Sequence, residues 1–523
     1  MNKSRGATVV QAAGLLMAST ILSRVLGYVR DIIISSAYGQ GQMTDAYLAA
    51  FSIPDFLYSL LVGGAISAAF IPVFSSYIAT DREDEGWKVA STIFNIVVPV
   101  FLLGIVIAAV LAPYIVENLL VPGFEPEYID LTVTMTRIML AQAFFMALNG
   151  ICMGILNSHQ RFFSTSLASV MYNVMIIVCG LLLRKRFGII GFSVGVVVGA
   201  ATQFLIQFAA VRRIGLRYEP GIDPRHPGVR RIFFLMVPVV LSFTMNQLGL
   251  FVQQNLSSSM AYGSLTAVRW SQRLMQLPIG IFATTIAMAI FPTLTGQVAR
   301  REMDLFKSSF SLGLRTIFYI TIPSAVGLAV LSEPVVRLLY QQGSFSSGNT
   351  ALTAYTLSYF CLGLCAYSGV QLMNRMFYAL QNTWTPVVTG AATMGLNIAL
   401  NYVLVDRFGT GGLALSYSLA GIVNLLLLLW LLRRKIGRMD LSRVISSFLK
   451  TLGVSLIMGG GALSVSWALE SFVVDVTTKA GQLTQVIGAV GTGALLYVAL
   501  SLALGMEEID FVRKVLGRRF KRK

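Results

Sequence analysis

The chain has 523 residues, of which 55% are apolar and only 12% charged, with a mean hydropathy of +0.73. That composition describes a polytopic membrane protein and excludes a large soluble enzyme domain. Forty Lys and Arg against 23 Asp and Glu leave a net charge of +17, which has to sit mostly in the connections between spans.

The 47 Gly and 15 Pro are scattered through long apolar runs, without the ten-residue alternation of an outer-membrane barrel, so the fold is expected to be all-α. A spanning helix needs about 20 mostly apolar residues. Runs of that kind predict about fourteen spans, near 7–36, 45–79, 89–118, 131–157, 162–183, 187–211, 231–260, 265–299, 309–340, 350–380, 384–405, 410–432, 442–470 and 481–505. The stretch before Ala7 is too short and polar for a cleaved leader, so the first run reads as a retained span.

With the N-terminus in the cytoplasm, 26 of the 40 basic residues fall in cytoplasmic segments and five (Arg184, Lys185, Arg186, Arg407 and Lys479) on the other side. This is the asymmetry of the positive-inside rule, and an even span count returns the C-terminus to the cytoplasm. Topology accounts for the charge, and no nucleic-acid partner is needed. The basic tail at 506–523 reads as a contact for anionic lipids.

Nine basic residues remain inside predicted spans: Arg24, Arg30, Arg137, Arg269, Arg273, Arg315, Arg337, Arg375 and Lys450. Each costs at least ~2.5 kcal/mol at a bilayer centre, so a polar interior is expected. Arg137, Arg315, Arg337 and Lys450 lie near span ends, where a long stem reaches the headgroups. Arg24, Arg30 and Arg273 do not have that outlet.

The four cysteines, Cys152, Cys179, Cys361 and Cys365, sit in apolar runs as small core residues, and His159 and His226 sit in polar connections. No cluster has metal-ligand spacing and no Walker-type phosphate loop occurs. Neither a cofactor nor a metal is expected, and the reading is of a protein that is not an enzyme.

The chain also repeats at an offset of about 220 residues. Ala112-Pro113 through Glu117 to Gly123-Phe124 returns as Glu333-Pro334 through Arg337 to Gly343 and Phe345; Ala69-Phe70-Ile71-Pro72 returns as Ala289-Ile290-Phe291-Pro292; Asn173 returns as Asn397. The order and offset predict two pseudo-symmetric six-helix bundles, 1–212 and 231–435. A Pro-rich basic linker at 213–230 joins them, and a two-helix appendix at 436–505 follows. Paired bundles around a polar cavity are transporter architecture.

The run Ser23-Arg24-Val25-Leu26-Gly27-Tyr28-Val29-Arg30-Asp31 is followed by Gly39, Thr44-Asp45-Ala46-Tyr47, Pro54, Gly64-Ala65 and Ser67-Ala68-Ala69-Phe70-Ile71-Pro72. Together they resemble the N-terminal signature of the MurJ/MviN lipid II flippases of the multidrug/oligosaccharidyl-lipid/polysaccharide exporter (MOP) superfamily. In the second half Gln272-Arg273-Leu274-Met275-Gln276-Leu277-Pro278, Tyr340 to Phe345 and Gln381-Asn382-Thr383-Trp384-Thr385-Pro386 resemble the same family's segments.

The resemblance implies movement of undecaprenyl-pyrophosphate-linked disaccharide pentapeptide (lipid II), the peptidoglycan precursor of cell-wall biogenesis, from the inner to the outer leaflet of the cytoplasmic (inner) membrane by alternating access. Its partners would be lipid II and membrane lipids, with the chain acting as a monomer. The anionic pyrophosphate suits Arg24, Arg30 and Arg273, converging from two bundles, with Asp31 and Asp45 balancing their charge. Arg24 and Arg30 are six positions apart, about 240° around a helix, so Gly27 is expected to be a hinge that bends or unwinds it. The appendix resembles the family's groove for the polyprenyl tail.

Two departures stand out. Many relatives carry an Arg pair and a Glu in the second span, where this chain has Tyr58, Ser59 and Gly63. Where some relatives place carboxylates that bind a cation, this chain has Gln253 and Asn401, beside Asn397, and neutral amides hold Na+ weakly. An alternative is a MOP-superfamily exporter of another lipid-linked oligosaccharide or of drugs.

Overall fold

The computed structural model describes residues 19, 22–60 and 69–508, and every regular element among them is helical. In chain order they are α1 (22–38), α2 (Gln42–Ala50), α3 (Ser52–Tyr58), α4 (Ile71–Ala79), α5 (Glu83–Ile115), α6 (Pro126–Ser158), α7 (Phe162–Phe187), α8 (Ile190–Ile214) and α9 (Pro227–Ser258). There follow α10 (Ser264–Pro278), α11 (Thr284–Ala299), α12 (Met303–Val330), α13 (Ser332–Tyr340), α14 (Ser347–Ala379), α15 (Trp384–Phe408), α16 (Thr410–Ile436), α17 (Leu441–Phe472) and α18 (Lys479–Ala503). The chain divides into two compact units, 1–265 and 266–523.

Eleven helices among the described residues are long and apolar enough to cross a membrane. The chain is thus a multi-pass membrane protein. Of the other three expected spans, 7–36 and 45–79 run partly through residues outside the described ones and 231–260 coincides with α9.

Proline explains where expected single spans divide. The 45–79 run breaks after Ala50 because Pro54 has no N–H to return to the Ala50 carbonyl. The 309–340 run breaks at Leu331, three residues before Pro334, giving α12 and the separate α13. Pro278 introduces a π turn, Ile279–Ala283, between α10 and α11, and α5 ends in a second one, Val116–Leu120.

The backbone itself carries the internal repeat. Positive φ recurs in pairs about 220 residues apart: Gly39 and Gly263, Asp81 and Arg301, Gln160 and Gln381, Gly188 and Gly409, Gly215 and Gly437. Non-glycine residues rarely adopt that conformation. At all four non-glycine positions the next residue's N–H reaches back five residues: Arg82 to Tyr77 O, Arg161 to Leu156 O, Glu302 to Gln297 O and Asn382 to Phe377 O, at 2.8–2.9 Å. Each is the six-to-one bond of a Schellman helix stop. α6 and α14 are equivalent helices of 33 residues, and the apolar windows of these two are 72% and 67% buried. They are the central posts around which each repeat packs.

Small residues set the spacing inside each unit. In the first, a Cβ on Gly199 would stand 2.8 Å from Tyr172 O and one on Gly195 2.9 Å from Ile176 O, so α8 lies directly on the α7 backbone. The α8–α9 connection is not a loose linker: Asn95 Nδ2 donates to Gly221 O, Tyr218 OH to Asn95 Oδ1, and Arg217 pairs with Asp84, stapling it along α5. In the second unit a Cβ on Gly363 would meet Ser418 Cα at 2.7 Å, and the stacked rings of Trp270 and Tyr340, 4.7 Å apart, fasten α10 to α13.

Two of the in-span cations expected near span ends are ion-paired with carboxylates. Arg315 donates to Glu508 and Glu507, both at 2.7 Å, and Arg337 to Glu333 and Glu470 at 2.7 and 2.8 Å. Arg137 Nε donates to Ala109 O at 3.1 Å. A carboxylate within reach is a better partner than a stretched path to water.

Gly363→Ala should lower the thermal unfolding temperature of the purified protein, because the α14–α16 backbones have to separate at a cost of about 1–3 kcal/mol. Gly453→Ala, whose Cβ meets nothing within 4 Å, should leave it unchanged. Equal melting of the two variants would contradict this packing.

Candidate functional site

In the first unit the polar interior is built from α1, α2, α3 and α7. Ser23 Oγ lies 2.9 Å from Ser169 Oγ, and Asn173 Nδ2 donates to Ser23 Oγ at 3.2 Å, which pins α1 to α7 and sets the rotation of α1. From there α1 runs unbroken through the buried Gly27, without local unwinding. Six residues on a continuous helix put Arg24 and Arg30 on different sides: Arg24 is exposed, whereas the Arg30 side chain is only 13% exposed.

Arg30 Nε and Nη2 both donate to Asp31 Oδ1, at 3.1 and 3.0 Å, and Asp31 is 3% exposed. The hydroxyls of Tyr47 and Tyr172 stand within electrostatic reach of the guanidinium, and Asp55 and Tyr58 within reach of Tyr172. Two phenols, Tyr47 and Tyr172, thus lie near the Arg30–Asp31 pair. A cation held by an adjacent acid beside phenol donors is able to receive an oxyanion.

Asp45 is placed differently. It is buried on α2 and its Oδ2 accepts from Gly263 N at 2.8 Å, while Gln40 Nε2 donates to Gly263 O at 3.0 Å. Gly263 has φ +86, and a Cβ there would meet Gln40 at 2.8 Å. Asp45 and Gln40 together clasp the α9–α10 turn.

In the second unit α10 is buried on nearly every side. Ser271 Oγ donates to Thr353 O at 2.8 Å, and Gln272 is buried near Tyr417. Only Arg269, Arg273, Gln276, Leu277 and Pro278 escape full burial. Arg269 and Arg273 are four apart, so both guanidiniums belong to one stripe that ends at the Pro278 kink.

On α15, Thr389, Thr393, Asn397 and Asn401 form a buried stripe at four-residue spacing. Asn401 Nδ2 approaches Asn397 Oδ1 at 3.5 Å, and among the described residues Asn397 Nδ2 and Asn401 Oδ1 have no hydrogen-bond partner. Gln253 is buried on α9 of the first unit. Among the described residues no group of three or more His, Cys, Asp or Glu is arranged to hold a metal.

Residues 34–479 match the family described as lipid II flippase MurJ. A probable lipid II flippase MurJ from Vibrio cholerae serotype O1 is 29% identical over 510 residues, 95% of this chain and 96% of its own. A lipid II flippase MurJ from Burkholderia cenocepacia is 27% identical over 84% of this chain and 87% of its own. A solved structure of lipid II flippase MurJ in an inward closed conformation superposes with a TM-score of 0.80 at 28% identity, covering 95% of this chain and 99% of that one. This chain belongs to the MurJ family.

A multidrug MATE transporter of the MOP superfamily, at 16% identity and TM-score 0.66 over 79% of this chain, shares the fold. The structure puts Tyr58 in the electrostatic neighbourhood of Tyr172 and Asp55. Gly63 falls outside the described residues. Sequence reasoning passed over Asp55 and Tyr172 as site residues; the signal available for Asp55 was its place among the few in-span acids, and Tyr172 gave none beyond standing next to Asn173.

Asp45 tests whether a charge or an acceptor is needed. Asp45→Asn keeps an oxygen for Gly263 N and should support growth of a flippase-depleted bacterium as wild type does. Asp45→Ala leaves that N–H without its acceptor at a cost of about 1–3 kcal/mol and should lower both melting temperature and rescue. Failure of Asp45→Asn with normal melting would assign the carboxylate to substrate.

Proposed function

We propose that this MurJ-family protein flips lipid II from the cytoplasmic to the outer leaflet of the inner membrane, with both termini in the cytoplasm, working as a monomer without bond chemistry. The observation that carries this reading is the buried Arg30–Asp31 pair, with Tyr47 and Tyr172 near it, in a unit of membrane-spanning helices. A buried guanidinium with adjustable partners suits a cargo whose polar end is a pyrophosphate.

Arg24 and Arg30 in the first repeat and Arg273 in the second are the proposed headgroup contacts, with Asp31 holding Arg30 when cargo is absent and Asp45 bracing the first unit. Arg269 joins them, since it shares the Arg273 stripe. Gly27 is the proposed hinge of a change between inward- and outward-open states. In sequence we take 1–212 and 231–435 as the two repeated bundles, 213–230 as their basic linker, 436–505 as the appendix and 506–523 as a lipid-contacting tail. The appendix borders an apolar groove of about 490 Å³ among α12, α13, α17 and α18, lined by Tyr319, Pro323, Gly327, Met458, Gly493 and Tyr497, which suits a polyprenyl tail.

Arg273→Ala should abolish rescue of a flippase-depleted bacterium and the appearance of lipid II in the outer leaflet, with expression and insertion normal. Full rescue would remove Arg273 from the site.

The driving force follows from charge. A pyrophosphate carries about two negative charges, and an inside-negative potential contributes about 2.3 kcal/mol per charge per 100 mV toward outward movement. With amides at Gln253, Asn397 and Asn401, potential alone is the proposed source. Collapsing the potential should stop transport, and exchanging Na+ for K+ at constant potential should leave it unchanged. Loss of transport in K+ with the potential intact would establish a cation site.

A further inference from the structure

At one end of the second unit, where α17 begins and α18 has just ended, lies a cavity of about 510 Å³ lined mainly by polar and charged residues. α12 contributes Arg315; α17 contributes Ser442, Arg443, Ser446, Ser447 and Lys450; the turn after α18 contributes Gly505 to Glu508. On α17 these side chains recur at four-residue spacing, so one face of the helix forms a wall. Gly505, at φ +59, turns the chain back so that the 2% exposed Glu508 meets Arg315 Nε and Ser447 Oγ, at 2.7 and 2.8 Å. That cluster is internally neutral and forms the floor.

Above the floor, charges of both signs remain available. Glu507 gives one oxygen to Arg315 and is otherwise 80% exposed. The Arg315 hydrogen bond holds its carboxyl below the usual range, so it is an anion at neutral pH. Lys450 and Arg443 act on the Glu507 carboxylate through space, yet neither forms an ion pair with it among the described residues; Arg443 pairs with Asp440 at 2.9 Å. A cation and an anion thus face the same cavity without closing on each other.

Exposed apolar side chains stand beside the cavity. Ile445 and Leu449, interleaved on α17 with Ser446 and Lys450, are 57% and 60% exposed. The apolar groove starts on the same helices: Tyr319 is one turn along α12 from Arg315, and Met458 two turns along α17 from Lys450, roughly 6 and 12 Å by helix rise. Tyr497 OH donates to Tyr319 O at 2.6 Å at the junction. A polar cavity near an apolar groove on the same helices fits an amphiphile whose head is zwitterionic.

We propose that this cavity binds the headgroup of an amine-bearing membrane phospholipid, its phosphate on Lys450, Arg443 and Ser446 and its ammonium on Glu507. A purely anionic headgroup would leave Glu507 facing like charge, and a soluble phosphate would make no use of the apolar rim.

The test is native mass spectrometry of the delipidated full chain offered palmitoyl-oleoyl phosphatidylethanolamine, phosphatidylglycerol of the same chains, and water-soluble phosphoethanolamine. Wild type should retain phosphatidylethanolamine over phosphatidylglycerol and take up no phosphoethanolamine. Lys450→Gln leaves the Arg315 cluster untouched and should lose phosphatidylethanolamine about tenfold, the equivalent of roughly 1.4 kcal/mol. Glu507→Gln should erase the preference over phosphatidylglycerol. Wild-type retention in both variants, equal retention of the two lipids by the native chain, or binding of free phosphoethanolamine would each overturn the assignment. The readout is independent of lipid II transport.

Discussion

A guanidinium that enters a membrane has to be met by an acceptor, because no water is there to meet it. Arg30 is met by Asp31, Arg315 by Glu507 and Glu508, Arg337 by Glu333 and Glu470, and Arg137 by a backbone carbonyl. Arg375 lies over the Phe291 ring at 5.5 Å. Each pairing fixes how its helix is rotated, so the cations act as registration points for the bundle as well as candidate contacts for an anion.

The second constraint is backbone proximity. Where α7 meets α8 and α14 meets α16, glycines stand where a methyl group would collide with a neighbouring backbone. Without a hydrophobic drive between helices in lipid, such close approach supplies the cohesion. The same stops, four Schellman turns with Asp81, Gln160, Arg301 and Gln381 at positive φ, end equivalent helices in both repeats. Strain at a non-glycine residue survives only where the surroundings enforce it. The matching offset therefore reports one ancestral turn geometry used twice.

The two acids differ in the partners they hold. Asp31 gives Oδ1 to two donors of Arg30, whereas Asp45 spends Oδ2 on a backbone N–H that cannot move without opening the α9–α10 turn. An acid that shares a mobile side chain is suited to exchange partners with a cargo; one that holds a turn is suited to stay. Gly27, inside an unbroken helix here, has the freedom for a change of state without showing one.

Much was legible in the sequence because the bilayer writes it in local terms: run length, loop charge and the 220-residue recurrence all follow from solvent and need no partner. The in-span positions of Arg24, Arg30 and Arg273 were visible for the same reason. What each polar group touches was not. Asp45 meets Gly263 across 218 residues and Arg315 meets Glu508 across 193, and no periodicity encodes such distances. Nothing in the sequence marked Tyr172, which comes near Arg30 only because α7 packs on α1. Composition decided which solvent the chain lives in; only tertiary packing decided which acid answers which base, because that choice depends on helix rotations fixed by glycine contacts and distant turns together.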